Sequence, residues 1–243
     1  MNMVAADGVM RYLEERGIGL ETNVARVPIV PGAAIFDLAL GSSTVRPDAR
    51  AGYRACEQAN SGPVVQGSIG AGTGATIGKL FDPTHAMKGG LGSASMKLAD
   101  GTLVGALVVV NAVGDIFDQE TGQRVAGELH SREKEAQGSN PFGNSTIAVV
   151  ATNATLSKEW TNKVAQMAHN GLAQAIRPVH TLFDGDTVFA LALGSETQTL
   201  SDRALTAAHV STIGAAAAST LARAVVKAVR SATALHGVPA VQG

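Results

Sequence analysis

Hydrophobic and polar positions fall in blocks along the chain, and each block predicts an element. Val4, Val9, Met10 and Leu13 share one helical face, Glu14-Glu15-Arg16 supply the polar side, and Gly17 is a stop. The chain is therefore expected to open on an amphipathic helix. A short apolar run at 27–30 is broken by Pro28 and Pro31, and another follows at 33–40. Residues 47–59, with Ala51, Tyr53, Ala55 and Cys56 inside them, read as a second helix. After a Gly-rich stretch at 67–75, alternation through Met96-Lys97-Leu98 leads to Asp100-Gly101, a strong hairpin signal. The nearly continuous apolar run at 103–113 predicts a strand buried on both faces.

Residues 121–143 are polar, with charges at Glu128, Arg132, Glu133, Lys134 and Glu135, and read as a solvated loop. The character changes abruptly at Asn144-Ser145-Thr146, where a β run at 147–151 begins. Thr155 or Ser157 caps a predicted helix through Ile176, with Trp160, Val164, Met167, Ala168 and Leu172 facing inward and Pro178 ending it. Residues 187–193 form another strand, and Ser201-Asp202 cap a last Ala-rich helix to about Leu235. Sequential strands joined by hairpins favour an α+β fold, a sheet layer covered by helices, over a doubly wound parallel sheet. No repeat or linker divides the chain, so residues 1–243 are expected to form one domain.

Composition sharpens this picture. Only 16% of residues are charged against 45% hydrophobic, and there are 28 glycines, which points to close backbone packing and to burial in a homo-oligomer. The formal net charge of −1 comes without any basic cluster interleaved with aromatics, so nucleic acid is not the expected partner. The N-terminus has no basic and apolar leader pattern, and runs such as 103–112 are too short to span a bilayer. A cytoplasmic protein without a membrane partner is the expectation. Cys56, the single cysteine, excludes an intrachain disulfide and reads as a packed bystander.

Several chemistries lack their marks. Gly70-Ala71-Gly72-Thr73-Gly74 has no Gly-Lys-Ser/Thr ending and no acidic residue at cofactor spacing, so it reads as a tight turn that lets another segment approach. His85, His130, His169, His180, His209 and His236 show no paired metal spacing, and Asp184-Gly185-Asp186 is not followed by calcium-loop ligands. Neither metal nor organic cofactor is expected. No Gly-x-Ser-x-Gly elbow occurs. What remains is Gly143-Asn144-Ser145-Thr146, a hydroxyl where a polar loop meets a buried strand, which taken alone reads first as a turn. If the Asn144–Ser145 bond is cut, Ser145 gains an α-amine of pKa about 8, able to accept its own hydroxyl proton. One residue then supplies nucleophile and base.

The run Asn144-Ser145-Thr146-Ile147-Ala148-Val149-Val150-Ala151-Thr152-Asn153-Ala154 resembles the processing-site signature of the L-aminopeptidase/D-esterase family. That family, peptidase family S58, includes β-peptidyl aminopeptidases and nylon-oligomer hydrolases. Gly70-Ala71-Gly72-Thr73-Gly74, Lys88-Gly89-Gly90-Leu91-Gly92, Asn111-Ala112-Val113-Gly114 and Asp184-Gly185-Asp186 match it in order over nearly the whole chain. The resemblance implies an αββα sandwich of the N-terminal-nucleophile (Ntn) hydrolase and ornithine acetyltransferase type. It implies fragments 1–144 and 145–243 and hydrolysis of a small peptide or ω-amino amide, with endo-cleavage of 6-aminohexanoate oligomers, acyl transfer of the ornithine acetyltransferase kind or an inactive truncated homologue as the alternatives.

Site roles follow from the same resemblance. Ser145 is implied as nucleophile, Asn111 as donor to the oxyanion, and Asp184 and Asp186 as the acidic pair that orients nucleophile and amine. Two Asp at these positions favour the nylon-hydrolase branch. Lys88 is implied as a basic pocket residue, and Gly72, Thr73, Gly74 and Phe36 as pocket lining, Phe36 standing where relatives can carry Tyr. Relatives carry strands before the first helix that this sequence does not show, so an exposed sheet edge is expected.

Overall fold

A computed structural model describes residues 4–127, 143–194 and 206–242. They divide into two compact units, residues 1–64 and 65–243. In the first, α1 (Val4–Glu14) packs against α2 (Ala49–Glu57), with the Tyr12 and Tyr53 rings edge to face at 5.4 Å. Asp48 caps α2 by accepting from the Ala51 N–H. Two-residue strands β1 (Leu20–Glu21) and β2 (Arg26–Val27) form a minimal antiparallel pair. The second apolar run, 33–40, forms no regular element, and the half-buried Phe36 and the free Cys56 belong to this unit.

The second unit holds short β3 (Thr76–Ile77) and β4 (Met87–Lys88), then β5 (Gly90–Lys97), β6 (Leu103–Val110), β7 (Asp115–Phe117), β8 (Arg124–Ala126) and β9 (Ile147–Thr152). Helix α3 (Lys158–Ala175), β10 (Ile176–Arg177), β11 (Thr187–Ala192) and α4 (Ala207–Arg230) complete it. The main sheet has the order β11-β9-β6-β5. Strands β5, β6 and β9 are antiparallel, and β11 runs parallel to β9 after the α3 crossover. Val104, Ala106, Val108 and Val110 of β6 join Ala148 and Val150 of β9 in a core completed by α3 and α4. The packing is close because the helices carry small residues. A Cβ on Gly171 of α3 would sit 2.2 Å from the Ala218 carbonyl oxygen of α4.

Several expectations need correction. Strand β6 alternates, with one face buried and Leu103 and Leu107 half-exposed on the other, because both helices lie on one side of the sheet. The stretch read as a loop from 121 contains β8, which pairs with β7; residues 128–142 lie outside the described residues. Trp160 is 38% exposed at the first turn of α3, and Gly171 and Ala175 take inward positions instead. Helix α3 is capped by Ser157 and gives way to β10 before Pro178. Ser201 and Asp202 also lie outside the described residues; Thr206 caps α4, which ends at Arg230. That helix is long and apolar enough to cross a membrane, but most of it is buried as the core helix.

Candidate active site

The sheet gathers the candidate residues at one end. Because β6 is antiparallel to β9, and β9 parallel to β11, the exit of β6 meets the entrances of β9 and β11, with Val109 opposite Ile147 and Ile147 opposite Thr187. Asn111 follows β6, Ser145 precedes β9, and Asp184-Gly185-Asp186 precede β11. The Ser145 N–H donates to the Asn111 carbonyl at 2.8 Å, and the Gly185 N–H to the Asn144 carbonyl at 2.9 Å. Ser145 is half-buried, and its Oγ lies 2.6 Å from the Asn144 carbonyl oxygen as donor. A Cβ on Gly185 would sit 2.7 Å from that Oγ, so only glycine leaves the hydroxyl its room there. Thr146, the adjacent hydroxyl, is fully buried and its Oγ1 has no hydrogen-bond partner among the described residues.

Asn111 is 1% exposed and makes a network of its own. Its Nδ2 donates to the Gly143 carbonyl at 3.1 Å, and its Oδ1 accepts from the Thr76 N–H at 3.0 Å and from Lys79 Nζ at 3.1 Å. Lys79 Nζ also reaches the Gly143 carbonyl at 3.2 Å. Asn111 and Lys79 thus hold the carbonyl one residue before Asn144, and the Gly185 N–H holds that of Asn144 itself. The sequence reading missed Lys79. Its one visible signal is a lone charge in Thr76-Ile77-Gly78-Lys79-Leu80-Phe81, an otherwise uncharged stretch. Burial lowers the Lys79 pKa to about 7, against the opposing pull of Asp184.

Lys88, the basic residue implied by resemblance, is fully buried and donates to the carbonyls of Thr73 and Ala75 at 2.7 and 2.9 Å. Its Nζ thus braces the Gly-rich turn, whose next residues supply the Thr76 N–H to Asn111. Gly72 and Gly74 are buried in that turn while Thr73 is exposed. A Cβ on Gly72 would lie 2.4 Å from the Leu91 nitrogen, so the turn packs against β5, as expected of a close backbone approach. Phe36 belongs to the other unit.

The two carboxylates divide their oxygens alike. Asp184 accepts from the Val113 N–H at 3.2 Å with Oδ1, and from the Thr181 N–H and hydroxyl at 3.0 and 2.7 Å with Oδ2. Asp186 accepts from the Thr146 N–H at 2.8 Å with Oδ1, and its Oδ2 lies 2.8 Å from His180 Nδ1. Neither is hydrogen-bonded to Ser145; each ties the loop before β11 to backbone beside it. Burial pushes the Asp186 carboxyl above its ordinary value, with Asp184 adding to the rise and the Thr146 N–H and His180 opposing it. Burial and the neighbouring His180 lower His169, against Asp186. Among the described residues no group of three or more His, Cys, Asp or Glu converges as a metal cage requires.

The profile of peptidase family S58 matches residues 1–242. The chain belongs to peptidase family S58. An aminopeptidase of Mycobacterium leprae, itself uncharacterized, is 44% identical over 98% of this chain and 70% of its own length. The 6-aminohexanoate-oligomer endohydrolase of Paenarthrobacter ureafaciens is 34% identical over 76% of this chain and 54% of its length. A solved Burkholderia β-aminopeptidase superposes with a TM-score of 0.68 at 25% identity, covering 99% of this chain and 67% of that one. The L-aminopeptidase D-Ala-esterase/amidase of Ochrobactrum anthropi, described as a variant of the Ntn hydrolase fold, gives 0.68 at 23% identity over 94% and 62%. This S58 chain is accordingly a hydrolase of the aminopeptidase kind, on the α+β Ntn hydrolase fold.

Proposed function

We propose that the chain is a self-processing amidohydrolase that cuts its Asn144–Ser145 bond and then hydrolyses small peptides or ω-amino amides through a Ser145 acyl-enzyme. The observation that carries this reading is the setting of the Asn144 carbonyl, with the Ser145 hydroxyl at 2.6 Å and the Gly185 N–H at 2.9 Å. Attack of Oγ on that carbonyl carbon forms an ester as the C–N bond breaks, and the nitrogen becomes the free amine of Ser145. Charge growing on the carbonyl oxygen is met by the Gly185 N–H. Water releases fragment 1–144 as a carboxylate. Departure of Gly143 and Asn144 then frees Asn111 Nδ2 and Lys79 Nζ, which hold the Gly143 carbonyl in the uncut chain, to serve a substrate carbonyl instead.

In turnover the Ser145 amine takes the hydroxyl proton, with Asp186, held by the N–H of the adjacent Thr146, to steady it and Asp184 keeping the loop in place. Lys88 and the Gly72-Thr73-Gly74 turn support Asn111 from behind. The likeness to the 6-aminohexanoate-oligomer endohydrolase and the paired Asp184 and Asp186 favour a second reading of specificity, internal cleavage of linear ω-amino oligomers. Intact mass and N-terminal sequencing test the first step: wild type should give fragments 1–144 and 145–243. Ser145→Ala should stay whole, and Thr146→Val should still be cut because its hydroxyl is enclosed. Cleavage persisting in Ser145→Ala would sink the assignment.

A further inference from the structure

The loop between β10 and β11 places a histidine against the centre that the chemistry above does not use. His180 has φ +56°, in the left-handed region that non-glycine residues other than Asn, Asp and His rarely enter. Its Nδ1 meets Asp186 Oδ2 at 2.8 Å, while the other oxygen of that carboxylate holds the Thr146 N–H. The Asp186 side chain is only 3% exposed, whereas that of His180 is 39% exposed and forms the outer end of the chain of contacts. An ionised carboxylate only accepts, so Nδ1 carries the proton and Nε2 is left free of that bond. From α3 the His169 ring packs on His180 with centroids 5.2 Å apart, limiting the tilt of the imidazole. Among the described residues Asp184, engaged by Thr181 and Val113, also faces Asp186, and the His169 ring interacts electrostatically with it.

We propose that His180 is a positioning residue: its Nδ1–H holds Asp186 against the Thr146 N–H and so fixes the backbone that carries Ser145. This rests on the reading of Ser145 as the nucleophile. Without the imidazole the buried carboxylate keeps a single fixed partner and loses its orientation, and the Asp186-to-Thr146 bond loosens with it.

Two substitutions separate the side chain from the backbone. His180→Gly keeps the left-handed conformation and removes the donor. His180→Asn keeps both, since Asn also tolerates that conformation and its Nδ2 sits where Nδ1 does. In the full 243-residue chain we measure the time course of cleavage at 144/145, hydrogen exchange of the Thr146 amide, and the thermal transition. His180→Gly should slow cleavage about tenfold, the size expected for loss of a hydrogen bond to a charged group, and should speed Thr146 exchange. His180→Asn should restore both. A His180→Gly chain with wild-type cleavage and exchange overturns the proposal, as does one that has lost its thermal transition, which makes His180 a folding residue only. A folded His180→Asn chain no better than His180→Gly overturns it too. If wild type is never cut yet Thr146 exchange responds as stated, the Ser145 reading falls and the hold of His180 on Asp186 stands.

Discussion

At the residue scale the buried lysine carries the most consequence. Lys79 Nζ makes two hydrogen bonds, to Asn111 and to the Gly143 carbonyl, and a neutral amine has two N–H groups to make them. Burial can therefore strip the proton without breaking either bond, which fits a pKa near 7 in place of 10.5. The sign of the linkage follows. Between these values the unfolded chain binds more protons than the folded one, so stability rises with pH across that window. The burial penalty is fully present below about pH 7 and gone above 10.5. In an uncut Ser145→Ala background, the wild-type lysine should show this rise in chemical denaturation, and Lys79→Met should flatten it. A rise of equal size in Lys79→Met would place its origin elsewhere. Nothing in the periodicity of the chain marks Lys79, because its distinction is the place its Nζ reaches, not its spacing.

At the scale of elements, the contact of α3 with α4 sets how tightly the helical layer lies on the sheet. Gly171 faces the Ala218 carbonyl so closely that a methyl group has no space, and backbone cannot yield as a flexible side chain does. Gly171→Ala should therefore cost about 1–3 kcal/mol by forcing the helices apart, although alanine favours helix over glycine at an exposed site. Thermal or denaturant unfolding of the uncut chain checks this, and a stabilised variant would mean that the helices separate freely. The sequence predicts both helices from their apolar periodicity and the hairpin from Asp100-Gly101, and these elements stand. It misplaces Trp160 because a residue at the first turn of a helix can share the apolar stripe yet lie beyond the layer it packs on. It misses β7 and β8, three residues each, because strands that short are held by partners and leave almost no alternation to read.

For the molecule as a whole, the proposed cut falls between elements that cannot part easily. Strand β9 begins two residues after Ser145 and is hydrogen-bonded on one side to β6, which would belong to fragment 1–144. Its other neighbour, β11, and the core helix α4 would belong to fragment 145–243, and α4 packs across β5 and β6. Cleavage thus breaks one peptide bond and leaves a sheet and a core shared by both pieces. The two fragments should separate under denaturing electrophoresis and co-elute under native conditions, with the same far-ultraviolet circular dichroism as uncut Ser145→Ala. Separate native elution would show that the shared sheet does not hold them.

Local pattern and chemical type determined much of this protein: the α+β class, the main helices, the β5–β6 hairpin, the abrupt change from polar loop to β9 just after Ser145, and, through ordered motifs, the S58 family. The junction of polar loop and strand drew attention to Ser145, while Asn111, Asp184 and Asp186 were singled out only by the family resemblance. Tertiary structure alone decided who meets whom. It set Asn111 on the Gly143 carbonyl, gave the Asn144 carbonyl to the Gly185 N–H, turned Lys88 to the Gly-rich turn, and brought in Lys79 and His180. The physical reason is that periodicity reports which face of an element is buried, whereas hydrogen-bond partners depend on strand order and register. These join residues separated by tens of positions, as Lys79 is from Gly143 and Asn111 from Ser145.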